Sequence, residues 1–153
     1  VIGMRRKEKE ITNREDIENI LRQSKVCRLA MVDEDKPYMV PLNFGYSNGC
    51  LFFHCAKQGR KIDLIKKNPN ICFEVDELIR LKKASLACDW GIDFKSVIGS
   101  GKAQLLEDSK EKIQALNAIM SQYSGRTFEY PDEMLEKTLV IKVVIDEMTG
   151  KQS

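Results

Sequence analysis

The apolar positions of the chain switch between a helical and an alternating spacing, and each switch marks an element. Ile17, Ile20 and Leu21 recur at helical spacing behind Thr12 and Glu15, a capping-box pattern, which predicts a first helix over about Asn13 to Ser24 with one buried face. Val26 to Val32 is compact and apolar, Asp33-Glu34-Asp35-Lys36-Pro37 interrupts it, and Tyr38 to Tyr46 resumes with strand formers. Asn48-Gly49 suits the positive φ angles of a tight hairpin turn, and Cys50 to Cys55 supplies the returning strand, so three antiparallel strands are expected here. Ile62, Leu64 and Ile65 mark a short helix within Gly59 to Asn68, stopped by Pro69. Ile71 to Val75 is strand-like, and Cys88-Asp89-Trp90-Gly91 reads as a bend. Ser96 to Leu106 is extended, with Gly99 and Gly101 pointing to a bulge or a close backbone contact. Asp108 caps a helix carrying Ile113, Leu116, Ile119 and Met120, and Leu139 to Ile145 alternates as a last strand before a tail, Met148 to Ser153, expected to fray. About six strands in hairpin-like succession with three helices, and no βαβ alternation, predict a mainly β fold: an antiparallel barrel with flanking helices.

Composition narrows the function classes. The 153 residues, 42% hydrophobic and 31% charged, fit one domain, taken as Met4 to Gly150. The 25 basic and 23 acidic residues leave a net charge of +2, too balanced for nucleic-acid binding through bulk charge, so no nucleic-acid partner is expected. No apolar run approaches the roughly 18 residues of a membrane span, and the stretch from Met4 to Glu10 is charged and lacks a secretory hydrophobic region, so the protein reads as cytoplasmic with no membrane partner. Val1, Ile2 and Gly3 precede the first methionine and carry no part of the reading. The five cysteines are odd in number and scattered, which favours reduced thiols; without a CxxC, and with His54 as the only histidine, no metal site is expected.

The chemistry concentrates between Phe52 and Pro69. Lys57, Arg60 and Lys61 crowd the start of a helix, where the macrodipole already places partial positive charge and acids are normally preferred. Free backbone N–H groups, a glycine at Gly59 that permits close approach and two adjacent cations make a cradle for phosphate; the alternative is a set of solvated surface cations. His54 is either a proton donor or polar contact at a bound ligand, or a half-buried strand histidine bonded to backbone.

These residues carry a resemblance. Phe52-Phe53-His54-Cys55, a short loop, and then Arg60-Lys61 with Ile65 and Asn68-Pro69 is similar to the phosphate-binding segment of the pyridoxamine 5'-phosphate oxidase-like flavoproteins, the FMN-binding split-barrel superfamily. Val26 to Met31, Pro37 to Tyr46, Gly49 to His54, Ala87 to Trp90 and Ser96 to Ala103 further resemble its nitroimidazole-resistance, nitroreductase-like branch. The resemblance implies a six-stranded antiparallel split β-barrel, a homodimer, and FMN in a groove at the subunit interface. It implies that Arg60 and Lys61 clamp the phosphate, that Val40, Pro41, Leu42 and Asn43 run along the isoalloxazine, that His54 and Cys55 lie near the phosphate and ribityl chain, and that Ser96 faces the cofactor from a later strand. A flavin needs a flat apolar slot, backbone groups for its pyrimidine edge and cations for its phosphate, and Pro41 in mid-strand suits an edge strand. Asp89 and Trp90 either cover the flavin from a partner's loop or close the barrel end. The oxidase's C-terminal Trp- and Arg-bearing segment has no counterpart after the last strand, so vitamin B6 oxidation is not expected. The implied function is an FMN-dependent oxidoreductase that reduces a small electron-poor aromatic, such as a nitroimidazole, with a transient electron donor. The alternatives are a non-catalytic flavin- or haem-binding dimeric module and a cofactor-free interaction domain.

Overall fold

The computed structural model describes residues 4–153, so Val1, Ile2 and Gly3 lie outside the described residues. Eight strands form one sheet: β1 (Glu10–Ile11), β2 (Cys27–Asp33), β3 (Lys36–Leu42), β4 (Gly45–Ser47), β5 (Cys50–Ala56), β6 (Asn70–Lys82), β7 (Gly91–Leu106) and β8 (Thr138–Gln152). Four α-helices accompany them: α1 (Arg14–Gln23), α2 (Arg60–Lys67), α3 (Ser109–Tyr123) and α4 (Asp132–Lys137). The order across the sheet is β3-β2-β6-β7-β8-β5-β4, with β1 added on β8, and every pairing is antiparallel. The fold is thus a split barrel, curled but not closed. Among the described residues no helix is long and apolar enough to cross a membrane.

The expected continuous strand from Tyr38 to Tyr46 breaks at Asn43-Phe44, and its halves, β3 and β4, lie at opposite ends of the sheet. The three N-terminal strands are therefore two separate hairpins, β2–β3 and β4–β5. Packing forces the break. Phe44 is fully buried, its N–H donates to Tyr123 Oη (3.0 Å), and Gly45 lies so close to α3 that a Cβ would stand 2.5 Å from the Ala118 carbonyl. Only glycine lets the crossover pass under that helix.

Four further expectations need correction. The first helix is capped by Asn13, whose Oδ1 accepts from the N–H of Glu15 (2.8 Å) and Asp16 (3.4 Å), one residue beyond the Thr12 of the capping-box pattern. The tail expected to fray after Met148 continues β8, because Glu10–Ile11 pairs with it on one side and β7 on the other, and Gly150 is buried beneath Ile11 and Ile17. α4 carried no periodicity long enough to be read. β6 and β7 are 13 and 16 residues long, so they outrun the barrel as a paired arm joined through Ala87–Asp89. The anticipated bulge is present, between Ser100 and Gly101 on β7.

Inward residues of the strands, among them Leu29, Met31, Phe53, Phe73, Val75, Val97, Ile141 and Val143, fill the barrel, and α1 and α2 close it with Ile17, Ile20, Leu21, Ile62, Leu64 and Ile65. A second core lies outside, where Ala115, Leu116 and Ile119 of α3 and Leu135 of α4 cover Leu106 and Val140. Buried Gln122 ties these layers together: its Nε2 donates to the carbonyls of Leu21 and Ser24, and its Oε1 accepts from the Tyr46 N–H.

Candidate functional site

The start of α2 holds the predicted cations. Gly59 caps the helix at φ +144°, a conformation that L side chains rarely adopt, and offers no capping side chain. The N–H groups of Ile62 and Asp63 both return to the Gly59 carbonyl (3.0 and 3.2 Å), while those of Arg60 and Lys61 have no acceptor among the described residues. Two free donors thus point out of a helix whose first turn carries two cations and, at Asp63, one acid.

Arg60 does not trail into solvent. Its guanidinium lies over the Tyr38 ring, 4.3 Å from the centroid, and its Nη2 donates to Asp33 Oδ2 at 2.8 Å. The β2–β3 hairpin makes this contact possible: Asp33 pairs with Lys36 and Met31 with Tyr38, so Asp33 and Tyr38 share a face. Lys61 is half-buried near Cys55, whose thiol burial pushes up while the Lys61 charge pulls it partly back. All five cysteines are free thiols, and burial pushes the Cys27 thiol up to about 12.

The remaining predicted residues divide into two groups. Val40, Pro41 and Leu42 lie on β3, an end strand of the sheet whose outer edge has no partner among the described residues. Val40 and Leu42 are half-buried against the barrel core, and Pro41 and Asn43 are exposed. At a rise of about 3.3 Å per residue, Asn43 stands roughly 16 Å along the chain from Tyr38, enough to lay an extended ligand between the clamp and the strand end. Cys55 joins this group through Lys61.

His54 and Ser96 do not face this clamp within one chain. Strand alternation puts His54 on the face of β5 opposite Cys55, exposed, across from Val140 of β8. Ser96 lies between Asp76 and Lys151 on β7, three strand spacings, roughly 14 Å, from β3. Its neighbourhood holds a second arginine, Arg28, whose Nη1 contacts Glu74 Oε2 (2.9 Å) and Asp76 Oδ1 (2.5 Å). Burial raises the Glu74 carboxyl more than its Arg28 bond lowers it.

Sequence reasoning missed Asp33 and Tyr38 as partners of Arg60. A strict hairpin register would have placed the two on one face, but nothing local announces that the helix start packs against that face. Phe44, just beyond β3, turns fully inward, whereas the β6–β7 arm exposes Leu78, Ile79, Leu81, Leu86, Trp90 and Ile92, each close to half or more, and no sequence signal marked that arm as exposed apolar surface.

The sequence profile of the pyridoxamine 5'-phosphate oxidase family matches residues 13–152, nearly the whole chain. The protein belongs to this family. A candidate 5-nitroimidazole antibiotic resistance protein from Bacteroides thetaiotaomicron is 34% identical, with a TM-score of 0.83 over 94% of this chain and 86% of that one. A flavocytochrome from Azotobacter vinelandii shares the fold at 21% identity, with a TM-score of 0.85 over 99% of this chain and 72% of that one. An FAD- and haem-binding protein from Mycobacterium smegmatis does so at 18% identity, with a TM-score of 0.85 over 95% and 73%.

Proposed function

We propose that this family member is an FMN-binding flavoprotein that works as a homodimer and reduces small electron-poor aromatics such as nitroimidazoles, taking electrons from a transient donor. One observation carries the cofactor reading: Arg60 is held over Tyr38 above a helix start whose free N–H groups and Lys61 suit a phosphate dianion. The residues present fit the group. Arg60, Lys61 and the start of α2 would hold the phosphate, Cys55 the adjoining chain, and the free edge of β3 from Val40 to Asn43 the ring system. FMN would supply the electron transfer between donor and acceptor. The protein's share is to bind and orient it, and the half-buried faces of Val40 and Leu42 keep water from one side. His54 faces away from the clamp of its own chain, so its part as proton donor is toward a flavin shared across the dimer, where Ser96 of the other subunit also has its place.

The homodimer has its own support in the β6–β7 arm, where Leu78, Ile79, Leu81, Leu86, Trp90 and Ile92 are exposed close together in the chain, because clustered exposed apolar side chains mark interaction surfaces. Replacing Leu78 and Leu86 with Asp should give a folded monomer in sedimentation velocity; wild-type protein sedimenting as a monomer with flavin bound would refute the dimer. Likeness to a flavocytochrome and to an FAD- and haem-binding protein keeps a second reading in play, a cofactor-carrying module without turnover. The purified protein separates the two. Flavin absorption with anaerobic reduction of a nitroimidazole by a reduced donor is the expected result; a Soret band, or bound flavin inert to every donor and acceptor pair, would favour the module.

A further inference from the structure

Asp33 has no place in the function proposed above, yet among the described residues it makes the one direct ionic contact of the clamp. Its Oδ2 takes the Nη2 edge of Arg60 at 2.8 Å, while Tyr38 fixes the guanidinium plane from below. It is one of three acids in the turn between β2 and β3, and Glu34 beside it adopts φ +58° to bring the chain round. Cations at a helix start are unfavourable alone, and a carboxylate delivered from another element offsets part of that charge.

We propose that Asp33 is a resident anion of the phosphate clamp, one that an incoming phosphate displaces from Arg60, so that the clamp discriminates by charge. This rests on the phosphate reading of Arg60 and Lys61. A carboxylate and a phosphate dianion cannot share one guanidinium edge without like charges a few ångströms apart, and the pair is exposed enough for the carboxylate to swing into water: the side chains are 59% and 31% accessible. Displacement leaves Arg60 over Tyr38, already oriented, with its fork free for two parallel bonds to phosphate oxygens. The exchange costs the ligand one ion pair, so a dianion gains more than a monoanion, and a neutral ligand gains nothing from the clamp.

The test titrates FMN and riboflavin into wild-type protein and the Asp33→Asn and Asp33→Ser variants, following flavin fluorescence, with thermal melting to establish that each variant folds. Both variants should bind FMN about fivefold or more tightly than wild type and riboflavin unchanged, since only the phosphate competes with the carboxylate. Variants that bind FMN more weakly or equally, in a wild-type background that prefers FMN over riboflavin, would overturn the proposal and make Asp33 an orienting group for Arg60. A wild type that does not distinguish the two flavins would instead remove the phosphate clamp itself, and the resident anion with it.

Discussion

Two arginines of this protein, Arg28 on a strand of the sheet and Arg60 at the start of α2, meet opposite fates. Arg28, on β2, has its charge answered twice, by Glu74 and Asp76 across the strand pair, and every partner sits on rigid β structure. Arg60 has one carboxylate, an aromatic face and a helix start that adds positive character instead of cancelling it. Neither pair holds the fold together, because exposed ion pairs are worth about 0 to 1 kcal/mol. The difference is one of surplus charge: Arg28 meets two carboxylates through its Nη1, whereas Arg60 meets one through its Nη2 and has Lys61 and the positive helix start beside it.

The comparison breaks most visibly in flavin affinity. Arg60→Ala should weaken FMN about tenfold or more, since a charge-assisted bond contributes roughly 1.5 to 3 kcal/mol, and should leave riboflavin nearly untouched. Arg28→Ala should alter neither ligand beyond about twofold in fluorescence titration, given that surface pairs of this kind carry little energy. Equal losses for FMN and riboflavin in Arg60→Ala would place the phosphate elsewhere. A finer cut comes from Arg60→Lys, expected to recover only part of the FMN loss, because a point charge cannot present the planar fork or lie flat on Tyr38.

The next effect is on pH dependence. Burial raises the folded-state Glu74 carboxyl above its ordinary value of 4.5, so the native state holds a proton there that the unfolded chain releases. The stability that this contributes is complete below 4.5 and is lost as pH rises through the raised value. Glu74→Gln should therefore flatten the decline of melting temperature just above pH 4.5, and an unchanged profile would show that Arg28 holds the carboxylate ionised after all. The smallest difference is in stability near neutral pH. Arg28→Ala leaves two acids facing each other and should cost about 1 kcal/mol or less in urea unfolding. Arg60→Ala should cost nothing or slightly stabilise the protein, as a cation leaves a helix start.

Much of the frame was legible in one dimension. α2 and its stop at Pro69, the Asp108 cap of α3, the hairpin at Asn48-Gly49 and the bulge near Gly101 are local events, written in turn residues, caps and period. The crowding of Arg60 and Lys61 at the start of α2 was legible too, because a helix start with surplus positive charge is itself a local anomaly. The errors arose wherever partners distant in sequence decide. Tyr38 to Tyr46 looks like one strand because each residue favours extended structure, and only α3 pressing on Gly45 splits it. Met148 to Gln152 looks like a tail because it lacks a continuous apolar pattern, and only its pairing with β7 and β1 makes it a strand.

By itself, then, the sequence determined the kinds of element, their order, the antiparallel β class and the place of the surplus charge, because propensity, capping and periodicity act between residues a few positions apart. Tertiary structure alone decided that β3 and β4 part to opposite ends of the sheet, that Asp33 and Tyr38 meet Arg60, that His54 and Ser96 face away from the clamp of their own chain, and that the exposed apolar surface lies on the β6–β7 arm. Those facts depend on which strand edges pair and which faces pack, and such contacts between residues tens of positions apart leave no periodic trace in the chain.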